Sequence, residues 1–267
     1  MPASRSASRA IKDPRPARRW PLILLGLIAL SIAVVFMLPA SLAARFLPAQ
    51  VRAEDFSGSL LHGAAGKISI NARDAGAIEW QVHPLALLRL ALLVDVHWVK
   101  VAFVIDGSAD LGARSIVAHD IRGGGPIADL QDLGFAAGWR GAANLNFTEI
   151  KSDFRALQTA VGKIELSNIA SADIAAGSDL GSYVLQLAPG SIAADGTLSA
   201  TVTDNGGPVE AQAQIRFSPA TRTGMLSGTL KERPEASPAL RNQLNNLAQI
   251  RPRDSYGRFP VELEFTF

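Results

Sequence analysis

From Val209 to Phe217 the side chains alternate without a break. Val209, Ala211, Ala213, Ile215 and Phe217 are apolar, and Glu210, Gln212, Gln214 and Arg216 between them are polar. Successive side chains of an extended chain point to opposite faces, so this pattern fits a strand with one dry face and one wet face. The C-terminus repeats it, with Phe259, Val261, Leu263, Phe265 and Phe267 on one face and Pro260, Glu262, Glu264 and Thr266 on the other. Pro260 has no N–H to give to a ladder, so this strand starts there or lies at a sheet edge. Further strands are predicted over 67–71, 77–82, 92–105, 115–121, 142–149, 162–168, 183–187, 197–203 and 226–231. Asp106-Gly107, Asp195-Gly196 and Asp204-Asn205-Gly206-Gly207 read as turns, being residue types that tolerate positive φ. Many short strands with such punctuation imply an antiparallel, mainly β domain. Two helices are expected. Ser237-Pro238 reads as an N-cap with a first-turn proline, followed by Leu240, Leu244 and Leu247 and stopped by Arg251-Pro252; a shorter helix is expected over 127–133.

A second feature sets the topology. No charged residue occurs between Trp20 and Ala44, and as a helix Leu22 to Leu38 reaches about 25 Å, enough for a hydrocarbon core with help from its flanks. Trp20 is expected at headgroup level, and Arg15, Arg18 and Arg19 are the topology charges that stay cytoplasmic by the positive-inside rule. The reading is therefore a basic cytoplasmic tail over 1–19, a transmembrane anchor over 20–44 and a periplasmic β-rich domain over 45–267. A cleavable signal peptide is the alternative, since Ser41-Leu42-Ala43 offers small residues at the right spacing. The apolar run exceeds the usual h-region of about 7–15 residues, which favours a retained anchor in the inner membrane.

Composition removes several classes. With 48% hydrophobic and 19% charged residues, the chain is too apolar for a disordered protein. It has no cysteine, so disulfides and thiolate metal sites are excluded. Residues 1–20 carry six basic side chains and one acidic, while the whole chain carries 26 and 24, so the remainder is net negative. Nucleic acid is not an expected partner of such a surface. No enzyme site is expected either. His62, His83, His97 and His119 form no His-x-x-x-His pair, and there is no Gly-x-Ser-x-Gly elbow. Gly123-Gly124-Gly125-Pro126 lacks the lysine and hydroxyl of a phosphate loop and reads as a flexible turn. No catalytic, cofactor-binding or metal-binding residue is assigned.

The order of landmarks resembles a known family. After the apolar run comes Phe56-Ser57-Gly58-Ser59-Leu60-Leu61-His62-Gly63, then Ile78-Glu79-Trp80 and Pro84-Leu85-Ala86-Leu87-Leu88. Farther on come Leu180-Gly181-Ser182-Tyr183, Gly206-Gly207-Pro208-Val209 and the closing Tyr256-Gly257-Arg258. This series is similar to the type II secretion system protein N family, with Leu61 where the family has a tryptophan and Tyr256 where it has an acid. The resemblance implies an accessory component of the inner membrane that aids export of folded proteins across the outer membrane, with other type II secretion components as partners.

Such a protein acts by binding, and the C-terminal strand, with Val261, Leu263, Phe265 and Phe267 on its apolar face, is the candidate partner-facing edge. A role in completing the fold is the preferred reading of that strand, with all its apolar residues under one apolar layer. The functional alternative is a periplasmic lipid-binding or lipid-transfer protein like the AsmA-like proteins, with the run Leu85 to Ile105 lining an apolar trough; an ordinary core strand pair explains that run as well. An outer-membrane barrel, suggested by terminal Phe267, conflicts with a helical anchor. Trp80 and Trp98 are expected to be mainly buried. The topology reading is tested by fusions: a reporter active only in the periplasm is expected to work after Phe267 and to fail before Trp20, and cytoplasmic activity of the C-terminal fusion overturns it.

Overall fold

The computed structural model describes residues 34, 36–84, 86, 92–112, 114–133, 138–153, 156–172, 174, 177–218, 221, 223–250 and 252–266. Trp20, Leu22, Arg15, Arg18, Arg19 and Phe267 lie outside them. Among the described residues no helix is long and apolar enough to cross a membrane. Leu38 is half-buried, and its carbonyl accepts the Leu60 N–H at 2.8 Å. A 3-10 helix, Ala40–Phe46, follows directly. Ala40 is buried and Pro39 bridges Ser59, so contacts with the β-rich part begin inside the segment assigned to the anchor.

Thirteen strands form a single antiparallel sheet whose spatial order is the sequence order. They are β1 (Val51–Gly58), β2 (His62–Ile70), β3 (Arg73–His83), β4 (Leu92–Lys100), β5 (Phe103–Leu111), β6 (Ile116–Pro126) and β7 (Trp139–Ser152). The series continues with β8 (Leu157–Ser171), β9 (Asp179–Leu187), β10 (Leu198–Asp204), β11 (Val209–Ser218), β12 (Thr223–Glu232) and β13 (Phe259–Thr266). A second 3-10 helix, Ile127–Leu133, joins β6 to β7, and α1 (Pro238–Ile250) joins β12 to β13. Ser237 caps α1 as its sequence implies, its Oγ accepting the Leu240 N–H at 3.2 Å.

The alternation places one apolar face along the whole sheet. Three buried clusters sit on it. Val209, Phe259 and the α1 residues Leu240 and Leu244 form one. Phe103, Ile127, Ala143 and Ile169 form the second, and Phe147, Ala160, Leu187 and Ala200 the third. Two bulges keep the inward set inward over long strands. Asp120 and Asn168 adopt φ of 50° and 53° where the β5–β6 and β8–β9 registers shift. Both residue types tolerate that left-handed conformation.

Several sequence expectations need correction. The run 92–105 is two strands, because the chain reverses at Val101 and Ala102 and Lys100 pairs with Phe103. Asp106-Gly107 is no turn; it lies within β5, where Asp106 pairs with His97. Gly123-Gly124-Gly125 is no flexible turn either. It lies near the C-terminal end of β6, with Gly123 and Gly124 paired on both sides, and a Cβ on Gly123 would come within 2.1 Å of the Val104 carbonyl oxygen. Glycine is required there by the close approach of β5 and β7. β1 is not legible in the sequence, since Arg52, Glu54 and Asp55 break its apolar pattern. Trp80 and Trp98 are half-buried rather than mainly buried; each indole N–H is satisfied, by Leu60 and Ala75 carbonyls at 2.9 and 2.7 Å.

Gly123→Ala is expected to destabilise the protein by about 1–3 kcal/mol or more through overpacking against β5. Urea denaturation followed by tryptophan fluorescence measures this, and an unchanged midpoint places these glycines outside the ladder.

Candidate functional site

β13 is the last strand of the sheet, and among the described residues it pairs on one side only, with β12. The hydrogen-bond parity of the ladders shows which of its groups are left over. The Arg233 N–H donates to the Pro208 carbonyl at 2.9 Å, which makes odd-numbered β12 residues the ones bonded to β11. In an antiparallel ladder bonded and non-bonded pairs alternate, so the even-numbered β12 residues bond to β13. Their partners are Phe259, Val261, Leu263 and Phe265. Glu262, Glu264 and Thr266 therefore direct their N–H groups away from the sheet. Pro260 belongs to the same outward set, where its missing N–H costs nothing.

The side chains divide by the same parity. Phe259, Val261, Leu263 and Phe265 share the apolar face, but the expected continuous cover is absent. Phe259 is buried under α1, whereas Leu263 and Phe265 are 57% and 43% exposed. The reason is the reach of α1: Leu240 and Leu244 pack on Val209 and Phe259, and no described element lies over the end of β13. The Phe265 ring lies instead across Gly224, where a Cβ would come within 2.3 Å of it.

A clamp holds α1 in place. The Arg253 guanidinium donates to Glu232 at 3.1 Å and to Asn245 at 2.7 Å, and it stacks over the Phe259 ring at 4.3 Å. Beside it a cleft of about 500 Å³ runs between α1 and the sheet, lined by Tyr183, Leu230, Leu240, Leu244, Val261 and Leu263 among others. It leads from the covered to the uncovered part of β13.

A second cleft, of about 570 Å³, lies under the Ile127–Leu133 helix, and every described residue lining it is apolar, including Trp98, Phe103, Leu130, Trp139, Leu145 and Leu166. Charged groups fasten this helix to the β4–β5 turn. Asp129 accepts the Ala102 N–H at 2.9 Å. The Lys100 side chain, 2% exposed, donates to the Asp74 carbonyl at 2.6 Å and to the Asp132 carboxylate at 3.4 Å. Between them Val101 is held at φ 56°, a conformation unfavourable for a β-branched residue. Neither clamp was legible in the sequence, because its members are 26 to 32 residues apart in one case and 8 to 21 in the other.

Three of the four histidines lie on the wet face in cross-strand pairs. His83 meets Asp95 and His97 meets Asp106 at 2.5 Å, and His119 meets Asp110 at 3.5 Å. Each is a two-member pair. Among the described residues no group of three histidine or acidic side chains comes together as a metal site would need. At the β9–β12 end, Arg233 donates to Asp204 at 2.5 Å and to the Gly207 carbonyl at 2.9 Å; the Asp204 carboxylate holds the guanidinium pKa above its ordinary value. Tyr183 donates to the Leu180 carbonyl at 2.6 Å. Burial, then the carboxylates of Asp204 and Asp179, push its phenol up to about 12 against the opposing pull of Arg233.

Among the described residues the molecule thus offers a strand edge paired on one side only and two apolar clefts. A family model described as type II secretion system (T2SS), protein N, matches residues 49–262, most of the chain, and the chain belongs to that family. Among curated proteins nothing matches, and no solved structure does.

The Tyr183 shift carries a sign. Its folded pKa of about 12 lies above the ordinary 10.0, so the neutral phenol supports the fold fully below pH 10, and that support is lost as pH rises from 10 through 12. Thermal melting from pH 8 to 11.5 is expected to show a decline at the alkaline end that is smaller in Tyr183→Phe; equal declines remove Tyr183 as its source.

Proposed function

We propose that this member of the type II secretion system protein N family is a non-enzymatic accessory component anchored in the inner membrane, with its β-rich domain in the periplasm. It works by holding other components of the secretion machine through the open edge β13. The observation that carries this reading is the row of outward N–H groups at Glu262, Glu264 and Thr266 beside exposed Leu263 and Phe265. An edge of that kind accepts one more strand, with main-chain bonds supplying affinity and alternate side chains supplying choice. Envelope placement follows from family membership, and the uncharged run from Trp20 to Ala44 with its arginine flank supports the single-pass anchor.

A second reading has its own support. The cleft of about 570 Å³ has the volume of a small-ligand pocket and only apolar and aromatic residues among its described lining, which suits a lipid chain and supports the AsmA-like alternative. Solvent extraction and mass spectrometry of the full chain purified from membranes separates the two. Stoichiometric phospholipid favours lipid binding, and its absence favours the protein-holding role.

The main reading is tested with Thr266→Pro, which removes one outward N–H and no bond of the β12–β13 ladder. In cells dependent on this protein, the variant is expected to lower exported protein in the medium several-fold, while circular dichroism and melting stay near wild type. Wild-type export by a folded Thr266→Pro variant overturns the docking role of β13.

A further inference from the structure

We propose that the strand completing the sheet at β13 comes from a partner protein and alternates cationic with apolar residues. The inference rests on reading β13 as the docking edge, and it adds the chemistry of what docks. The wet face of β13 presents Glu262 and Glu264, both exposed, and neither has an ion-pair partner among the described residues. Their own outward N–H groups are the ones an incoming strand must meet, so the residues opposite them lie within reach of both carboxylates. Opposite charges facing each other across a ladder stabilise the pair and like charges oppose it. The other face of the same strand carries Leu263 and Phe265, which an incoming apolar side chain at each alternate position covers. One extended segment with lysine or arginine on one face and aliphatic residues on the other satisfies both faces.

Charge also excludes the nearest competitor, a second copy of this chain. Two β13 edges brought together set glutamate against glutamate. The other open edge, β1, brings Glu54 and Asp55 against only Arg52, and its Asp55 sits at φ 56°, which bends the edge out of regular pairing. β13 has no register shift along its length. Proline and charge are common devices for blunting an edge. A merely blunted edge has no use for two large apolar side chains left half open to water, whereas an edge selective for cationic strands needs both features.

The test uses the full chain in detergent and three labelled nine-residue peptides, alternating Lys-Val, Glu-Val or Lys-Ser, read by fluorescence anisotropy. Lys-Val is expected to bind in low salt and to weaken about tenfold both in 500 mM salt and with the isosteric double variant Glu262→Gln/Glu264→Gln. Lys-Ser, which has the charge without the apolar face, and Glu-Val, which has the reverse charge, are expected to bind at least tenfold more weakly than Lys-Val to wild type. Thr266→Pro is expected to weaken Lys-Val as well. If the double glutamine variant binds Lys-Val as wild type does while Thr266→Pro weakens it, the edge docks a strand but the cationic choice is wrong. Binding untouched by Thr266→Pro removes the edge itself. Equal binding of Lys-Ser reduces the effect to charge alone and overturns the proposal. A concentration-dependent dimer in sedimentation that Thr266→Pro abolishes assigns the edge to a second copy instead.

Discussion

Every strand pairs only with its neighbours in sequence, and the rest of the molecule follows from that. A meander of this kind needs no crossover, and most of its registers are set locally through short connections, the helix-bearing links β6–β7 and β12–β13 being longer. It can lengthen without limit on strand number, but a single sheet buries one face and ends in two edges unless something closes or covers it. With thirteen strands the chain invests its apolar residues in a long inward face and supplies very little to lie over it. Among the described residues the cover amounts to α1 and two short 3-10 helices.

That scarcity explains where charge is found. The Ile127–Leu133 helix is too short to hold itself on the sheet, since isolated helical turns are marginal in water. Asp129 and Asp132 tie it to the β4–β5 turn through the Ala102 N–H and the buried Lys100 ammonium. α1 is fixed partly by Leu240 and Leu244, whose burial contributes about 1.5–3 kcal/mol each, and partly by Arg253 bridging Glu232, Asn245 and the Phe259 ring. One Glu232 oxygen is buried without a hydrogen-bond partner, so removing Arg253 would leave a partly buried carboxylate without its cation. Each clamp holds its cover at one place and leaves a cleft beside it.

Membership of the type II secretion system protein N family fits this economy. On the proposed docking role, the chain needs surfaces that stay in water alone and become dry on assembly. The edge of β13 meets both conditions, because Glu262 and Glu264 keep it in water while Leu263 and Phe265 wait on the opposite face. The apolar cleft under the Ile127–Leu133 helix is the competing surface of the same molecule, and its lining is matched to hydrocarbon rather than to peptide.

Period-two alternation over 209–217 and 259–266, turn residues between strands and the Ser237-Pro238 cap were legible in the sequence, because each is decided within a few neighbouring residues. So was the order of short motifs that resembles the family. The glycine run of β6 was misread, since a glycine required by two flanking strands looks in sequence like a glycine required by a turn. The hairpin at Val101 was hidden for the converse reason: a valine and an alanine hold the turn only because Asp129, bonded to the Ala102 N–H, and Asp74 and Asp132, bonded to the adjacent Lys100, are brought from elsewhere and over-determine it. Which apolar residues are covered was equally a tertiary matter. Phe259 and Phe265 belong to one alternating run and have the same propensity, yet one is buried and the other half open, because the position of α1, set by Arg253 and its partners, decides where the dry layer stops.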